Sequence, residues 1–174
     1  RSLSRTSAPL TAATPLPQGR AMRAILVADL DGFSHLVDGA DQERAMTQLW
    51  AYLDEDPAKK LLKEGEAWIA GIADRVIVTF GTFSYGALVE FAKNWVRFVD
   101  RFGPDLSVRV GLHVGDACKH HPKANGEIVA GEGVDTCIRV TSYFEGGFVV
   151  LTGQFVENWT RYERVTGVTP DPYG

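Results

Sequence analysis

Residues 23–36 read RAILVADLDGFSHL, and the junction in the middle of that stretch sets the reading of the whole chain. Five apolar residues, Ala24 to Ala28, have the length and composition of a buried strand, and they run straight into Asp29-Leu30-Asp31-Gly32-Phe33-Ser34. Two chemistries fit such an ending. Asp and Gly together are ordinary turn residues. A carboxylate at a strand end is equally a ligand for a hard cation. The neighbouring segments have to decide between them.

The bulk properties narrow the field. A chain of 174 residues, 45% hydrophobic and 23% charged, suits one soluble domain with a sizeable core. The net charge of −4 and the lack of a basic stripe argue against a nucleic-acid backbone as partner. An anionic small molecule would then depend on local donors or metals. Cys118 and Cys137 are the two cysteines, too few for a disulfide framework, which points to a reducing, cytoplasmic setting. No apolar run approaches the roughly 20 residues a membrane helix needs.

Residues 1–21, rich in Ser, Thr, Pro and Ala, are expected to be a tail or linker, with the folded domain over 22–174. Residues 40–63 carry Met46, Leu49, Leu53, Leu61 and Leu62 at helical spacing, with Pro57 expected to break or kink the helix near Asp56. EAWIAGIADRVIVTFG (66–81) reads as a hairpin with Asp74 near its bend. A helix is expected over 85–103, where Phe91, Trp95, Phe98 and Phe102 form a stripe suited to a core or a dimer interface. A strand follows at 106–117, a hairpin turn at Asn125-Gly126 and a helix at 131–144. GGFVVLTGQF (146–155) reads as the last strand, and the residues from Arg161 on as an incomplete strand or tail. The expected order is β, α, β-hairpin, α, β, β, α, β, with helices able to pack on one sheet face: an α+β sandwich.

If the first strand lies beside the 66–81 hairpin, Asp29 and Asp74 project from one sheet edge and make an oxygen-rich site for Mg²⁺ or Mn²⁺. Gly32-Phe33-Ser34 would follow as a glycine-permitted turn into a helix, its N–H groups suited to a phosphate. Together these suggest phosphoryl-transfer chemistry. His113, His120, His121 and Cys118 match no standard spacing of transition-metal ligands.

Four segments in order, VADLDGFS, GIADRVIVTF, VRVGLHVG and GEGVDTCIR, resemble the class III adenylate and guanylate cyclase catalytic domain over residues 23–152. The resemblance implies a ferredoxin-like (βαββαβ) sheet-and-helix sandwich. It implies conversion of a nucleoside triphosphate, ATP or GTP, to the 3′,5′-cyclic nucleotide and pyrophosphate, helped by two Mg²⁺ or Mn²⁺ ions at a homodimer interface. By the same resemblance Asp29, Asp74 and the Leu30 carbonyl fall on the metal ligands, and Gly32, Phe33 and Ser34 on the phosphate-binding turn. Arg139 falls on the arginine that stabilises the transition state, a role that suits a fixed cation facing developing phosphoryl charge. One protomer would supply Asp29 and Asp74, its partner Arg139 and Asp135.

The departures matter as much. Asp135 stands where the family has a ribose-orienting asparagine. Ala70 and Ile128 stand at the base-reading positions, where apolar side chains cannot hydrogen-bond a purine edge. That divergence resembles the bacterial pyrimidine cyclases, which make cyclic UMP or cyclic CMP in anti-phage signalling. No Lys follows Lys123, whereas the family uses one beyond its last helix to bind the triphosphate. A catalytically inactive binding or dimerisation module is the third reading.

Overall fold

A computed structural model describes residues 21–36, 38–103, 106–120 and 128–166. The hairpin turn expected at Asn125-Gly126, and His121, lie outside the described residues. The first strand, β1 (Ala21–Asp31), contains the whole apolar run and both aspartates. After a short 3₁₀ turn at Phe33–His35 come α1 (Gly39–Ala51), a second 3₁₀ turn (Tyr52–Asp54) and α2 (Asp56–Glu64). The hairpin β2 (Trp68–Ile72) and β3 (Arg75–Phe80) leads to α3 (Tyr85–Asp100) and the long strand β4 (Ser107–His120). Then β5 (Ile128–Ala130), α4 (Glu132–Thr141), β6 (Val149–Leu151) and α5 (Gly153–Thr166) complete the described chain.

The sheet order is β2-β3-β1-β4-β5, antiparallel throughout, with β6 added parallel to β4 at Val110–Leu112. Strands β2-β3-β1-β4, linked by α1/α2 and α3, form the expected ferredoxin-like α+β arrangement. Alternation along β1 sorts its side chains between two unequal cores. Ala24, Leu26, Ala28 and Leu30 enter a large core built with α1, α2, α3 and α5. There Trp95 donates its indole N–H to the Leu49 carbonyl (2.9 Å) and Tyr52 its hydroxyl to the Phe91 carbonyl (2.9 Å), so both polar tips are satisfied inside the aromatic cluster. Ile25 and Val27 face the other way, into a small cluster with Ala70, Ile77, Val129, Val134 and Cys137.

That second cluster corrects the expectation that the helices pack on one face. Among the described residues, α4 lies alone on the opposite face, against β1 and β4. Glycines make this possible: a Cβ on Gly111 would fall 1.9 Å from Thr141 Oγ1, and one on Gly115 would fall 2.9 Å from the Gly133 Cα. The helix sits close because the strand has no side chain beneath it.

The helical run of 40–63 is interrupted near Asp56 as expected: α1 ends at Ala51, Glu55 is extended, and Pro57 occupies the first turn of α2, where its missing N–H costs nothing. Another expectation changes. The residues from Arg161 on are neither strand nor tail up to Thr166, since α5 continues through them. Only Val149–Leu151 of the 146–155 segment is strand. Thr152 caps α5 by accepting the Phe155 N–H (3.2 Å), and Phe155, Trp159 and Tyr162 then stack around Tyr85. Phe91 and Trp95 of the aromatic stripe are buried, whereas Phe102 is 45% exposed.

Candidate functional site

The C-terminal end of β1 carries the densest ionic arrangement in the described residues. Asp29 is fully buried, yet no strand neighbour leaves it unpaired. The antiparallel register places Arg75 of β3 directly across from it on one side and Arg109 of β4 directly across on the other. Arg75 Nε donates to one carboxylate oxygen (3.2 Å) and Arg109 Nε to the other (2.9 Å). Arg109 also reaches toward Asp31 (3.7 Å) and donates to the Phe144 carbonyl (2.5 Å). Asp31 accepts the Gly146 N–H (2.8 Å), so it fastens the loop after α4 to the end of β1 and is more than a turn residue.

Asp74 occupies the β2–β3 turn, half-buried, and its carbonyl accepts the Leu30 N–H (3.4 Å). Ala73 before it has φ of 54°, a left-handed conformation that suits glycine better. The structure thus brings Asp29, Leu30 and Asp74 to one end of the sheet. Gly32 follows with φ of 80°, the left-handed geometry that only glycine adopts cheaply, and opens the 3₁₀ turn Phe33–His35. Phe33 and Ser34 are therefore in a short turn rather than at the start of a long helix; α1 begins later, capped by the Asp38 carboxylate on the Ala40 N–H (2.9 Å).

Asp135 and Arg139 lie one turn apart on the exposed side of α4, and neither side chain makes a hydrogen bond or ion pair among the described residues. They point to solvent rather than to Asp29 of the same chain. The end of α4 does reach the site, because Arg75 Nη2 lies 3.5 Å from Ser142 Oγ. Ala70 is 4% exposed and packs in the small cluster beside Val129, and the neighbouring Ile128 is 38% exposed. β2 and β5 approach each other there, so the two positions share one region.

Other sequence candidates separate from this site. His113 is buried and its Nδ1 lies 2.9 Å from Thr152 Oγ1; burial pushes its pKa below the usual value. Cys118 Sγ is 3.3 Å from His120 Nε2, and the described residues contain no group of three or more His, Cys, Asp or Glu able to hold a metal. A cavity of about 370 Å³ opens between β4 and the starts of α4 and α5, lined in part by Met22, His113 and Glu132. Its lining lies roughly 13 to 23 Å along β1 from Asp29 at the usual strand rise, since His113 sits opposite Ile25 and Asp116 opposite Met22, so it is not the carboxylate site.

Sequence reading missed Arg75 and Arg109. The signal was present: pairing the first strand with the 66–81 hairpin and the 106–117 strand puts an arginine opposite Asp29 on each side.

No family model and no curated protein matches this sequence. Solved structures do match in fold. The dimeric guanylyl cyclase domain of the RhoGC fusion protein from the aquatic fungus Blastocladiella emersonii superposes with a TM-score of 0.63 at 16% identity, covering 79% of this chain and 83% of that one. The guanylate cyclase domain of RhGC from Catenaria anguillulae, solved with GTP, gives 0.62 at 16% identity over 78% and 80% of the two chains. The adenylyl cyclase CyaB from P. aeruginosa gives 0.58 at 16% identity over 82% of each. The chain thus has the fold of the class III nucleotidyl cyclase catalytic domain.

Proposed function

We propose that this domain is a nucleotidyl cyclase, converting a nucleoside triphosphate to its 3′,5′-cyclic monophosphate with release of pyrophosphate. The observation that carries the reading is the meeting of two separate sequence segments at one end of β1: Asp29 and Leu30 with the left-handed Gly32 turn that follows them, and the Asp74 turn. The donor set suits a divalent cation in kind, since two carboxylates and a carbonyl are hard oxygen ligands, and each Asp29 oxygen keeps a lone pair beyond its arginine bond. Asp29, Asp74 and the Leu30 carbonyl would hold Mg²⁺ or Mn²⁺, which when bound supplies Lewis acidity at the α-phosphate and at the attacking 3′-oxygen.

The rest falls to the protein. Gly32, Phe33 and Ser34 offer backbone N–H groups to the phosphates, as the opening of a helical turn does. Arg139 places a permanent cation against the charge that develops as the 3′-oxygen bonds to phosphorus and pyrophosphate departs. Asp135 accepts from a ribose hydroxyl, which a carboxylate does as well as an amide oxygen. Because Asp135 and Arg139 face outward on α4, they serve the site of a second copy, and a homodimer with two shared sites follows.

Ala70 and Ile128 favour a second reading within the same chemistry. Neither can hydrogen-bond a base, so selectivity rests on pocket shape, which is compatible with UTP or CTP as substrate and with anti-phage signalling as the setting. Incubating the purified domain with each of the four NTPs and Mn²⁺, and analysing products by mass spectrometry, tests both readings. A cyclic nucleotide from at least one NTP is expected, and its base chooses between them. No cyclic product from any NTP, with the protein folded and dimeric, leaves only a binding or dimerisation role.

A further inference from the structure

We infer that Arg75 is a built-in counter-ion of Asp29 that keeps divalent metal out of the site until a nucleoside triphosphate arrives. The inference rests on the cyclase reading above and deepens it. In this structure a buried carboxylate sits between two cross-strand guanidinium groups, one on each flanking strand. With Asp31 beside Arg109, two acids face two bases and those four groups balance, while Asp74 at the neighbouring turn adds one negative charge. A divalent ion held by Asp29 and Asp74 would still leave a surplus of one positive charge around a carboxylate that water does not reach, a surplus that Arg75 supplies.

The two arginines are not equivalent. Arg109 is tied to three groups, the Asp29 carboxylate, Asp31 and the Phe144 carbonyl, with its side chain 17% exposed. Arg75 has the longer bond to Asp29, a marginal 3.5 Å approach to Ser142, and a side chain 29% exposed. It also lies at the first position of β3, next to the Asp74 turn. Arg109 is fixed; Arg75 is the one that can leave. A triphosphate gives it somewhere to go, because phosphate oxygens accept a guanidinium at least as well as a carboxylate does. Transfer of Arg75 from Asp29 to the phosphates restores the negative charge at Asp29 as the nucleotide brings its own. Metal and nucleotide then load together.

Titrating nucleotide-free protein with Mn²⁺, and following free Mn²⁺ by electron paramagnetic resonance, reads this without turnover. Arg75→Gln is expected to bind Mn²⁺ at least about tenfold more tightly than wild type, the scale of losing one like charge a few ångströms away. Arg75→Lys, which keeps the charge without the planar fork, is expected in between and serves if the glutamine variant melts early. Asp29→Asn identifies which binding belongs to the site. With a non-cyclisable triphosphate analogue present, the difference between wild type and Arg75→Gln should collapse. Equal Mn²⁺ affinity of wild type and both Arg75 variants without nucleotide overturns the inference while leaving the cyclase reading standing. Absence of any Asp29-dependent Mn²⁺ binding, with or without the analogue, overturns both.

Discussion

The two faces of the sheet use the same strand for opposite purposes. On one face, Ala24, Leu26, Ala28 and Leu30 of β1 meet four helices and an aromatic cluster centred on Tyr52, Phe91 and Trp95. On the other, Ile25 and Val27 meet a single helix, and the next residue of that face, Asp29, meets two arginines. Stability is concentrated where the side chains are large and satisfied. The proposed chemistry falls on the thin face, where among the described residues one helix covers little and Asp135 and Arg139 remain outside. A one-residue alternation separates the two.

The comparison breaks most visibly at Trp95. Trp95→Ala opens a cavity in the thick face and should cost about 3–5 kcal/mol of unfolding free energy, read by denaturant titration. Turnover per folded molecule should stay near wild type, since nothing on the α4 face moves; a selective loss of turnover would show that the faces are coupled.

Gly111→Ala is the counterpart on the thin face. Its new Cβ has the Thr141 hydroxyl 1.9 Å away, so α4 must shift. The expected stability loss is smaller, about 1–3 kcal/mol, but turnover should fall steeply because α4 carries Arg139 and Asp135. Unimpaired turnover in a folded Gly111→Ala protein would contradict the placement of those residues.

A finer probe is pH. Burial holds His113 below its ordinary value, so in the native state it resists the proton that the unfolded chain accepts. Its contribution is fully present above about pH 6.5 and is lost as pH falls below that, because there the unfolded state binds more protons. His113→Gln should flatten this part of the melting-temperature profile between about pH 7.5 and pH 5.5. A profile identical to wild type would mean that His113 is not held neutral by the fold. The smallest effect is at Cys137, where burial pushes the thiol up to about 12. It should resist alkylation in native protein at mildly alkaline pH and react on unfolding, as peptide mapping would record.

Legibility in the sequence followed the same division. The apolar run of β1, the hairpin with Asp74 at its bend, and the helix carrying Phe91 and Trp95 are all periodic, and their burial follows from that period. α5 was hidden because Phe148, Val149, Val150, Leu151 and Phe155 together read as strand, and only docking of Phe155 and Trp159 on Tyr85 reveals the helix. The lone position of α4 depends on Gly111, Gly115 and Gly133, whose meaning is steric and appears only when helix and strand meet. At the site, Asp29 and Asp74 were recognisable as single residues. Their arginine partners were not, because register, rather than spacing along the chain, puts Arg75 and Arg109 opposite Asp29.

The central claim is that each active site is assembled from Asp29 of one protomer and Arg139 of its partner. Mixing two separately inactive variants, Asp29→Asn and Arg139→Ala, tests it most directly. Random pairing of equal amounts makes half of the dimers mixed, each with one intact site, so cyclic-nucleotide formation should return to about a quarter of the wild-type rate. A mixture as inactive as either variant alone, with mixed dimers demonstrably formed, would contradict the account.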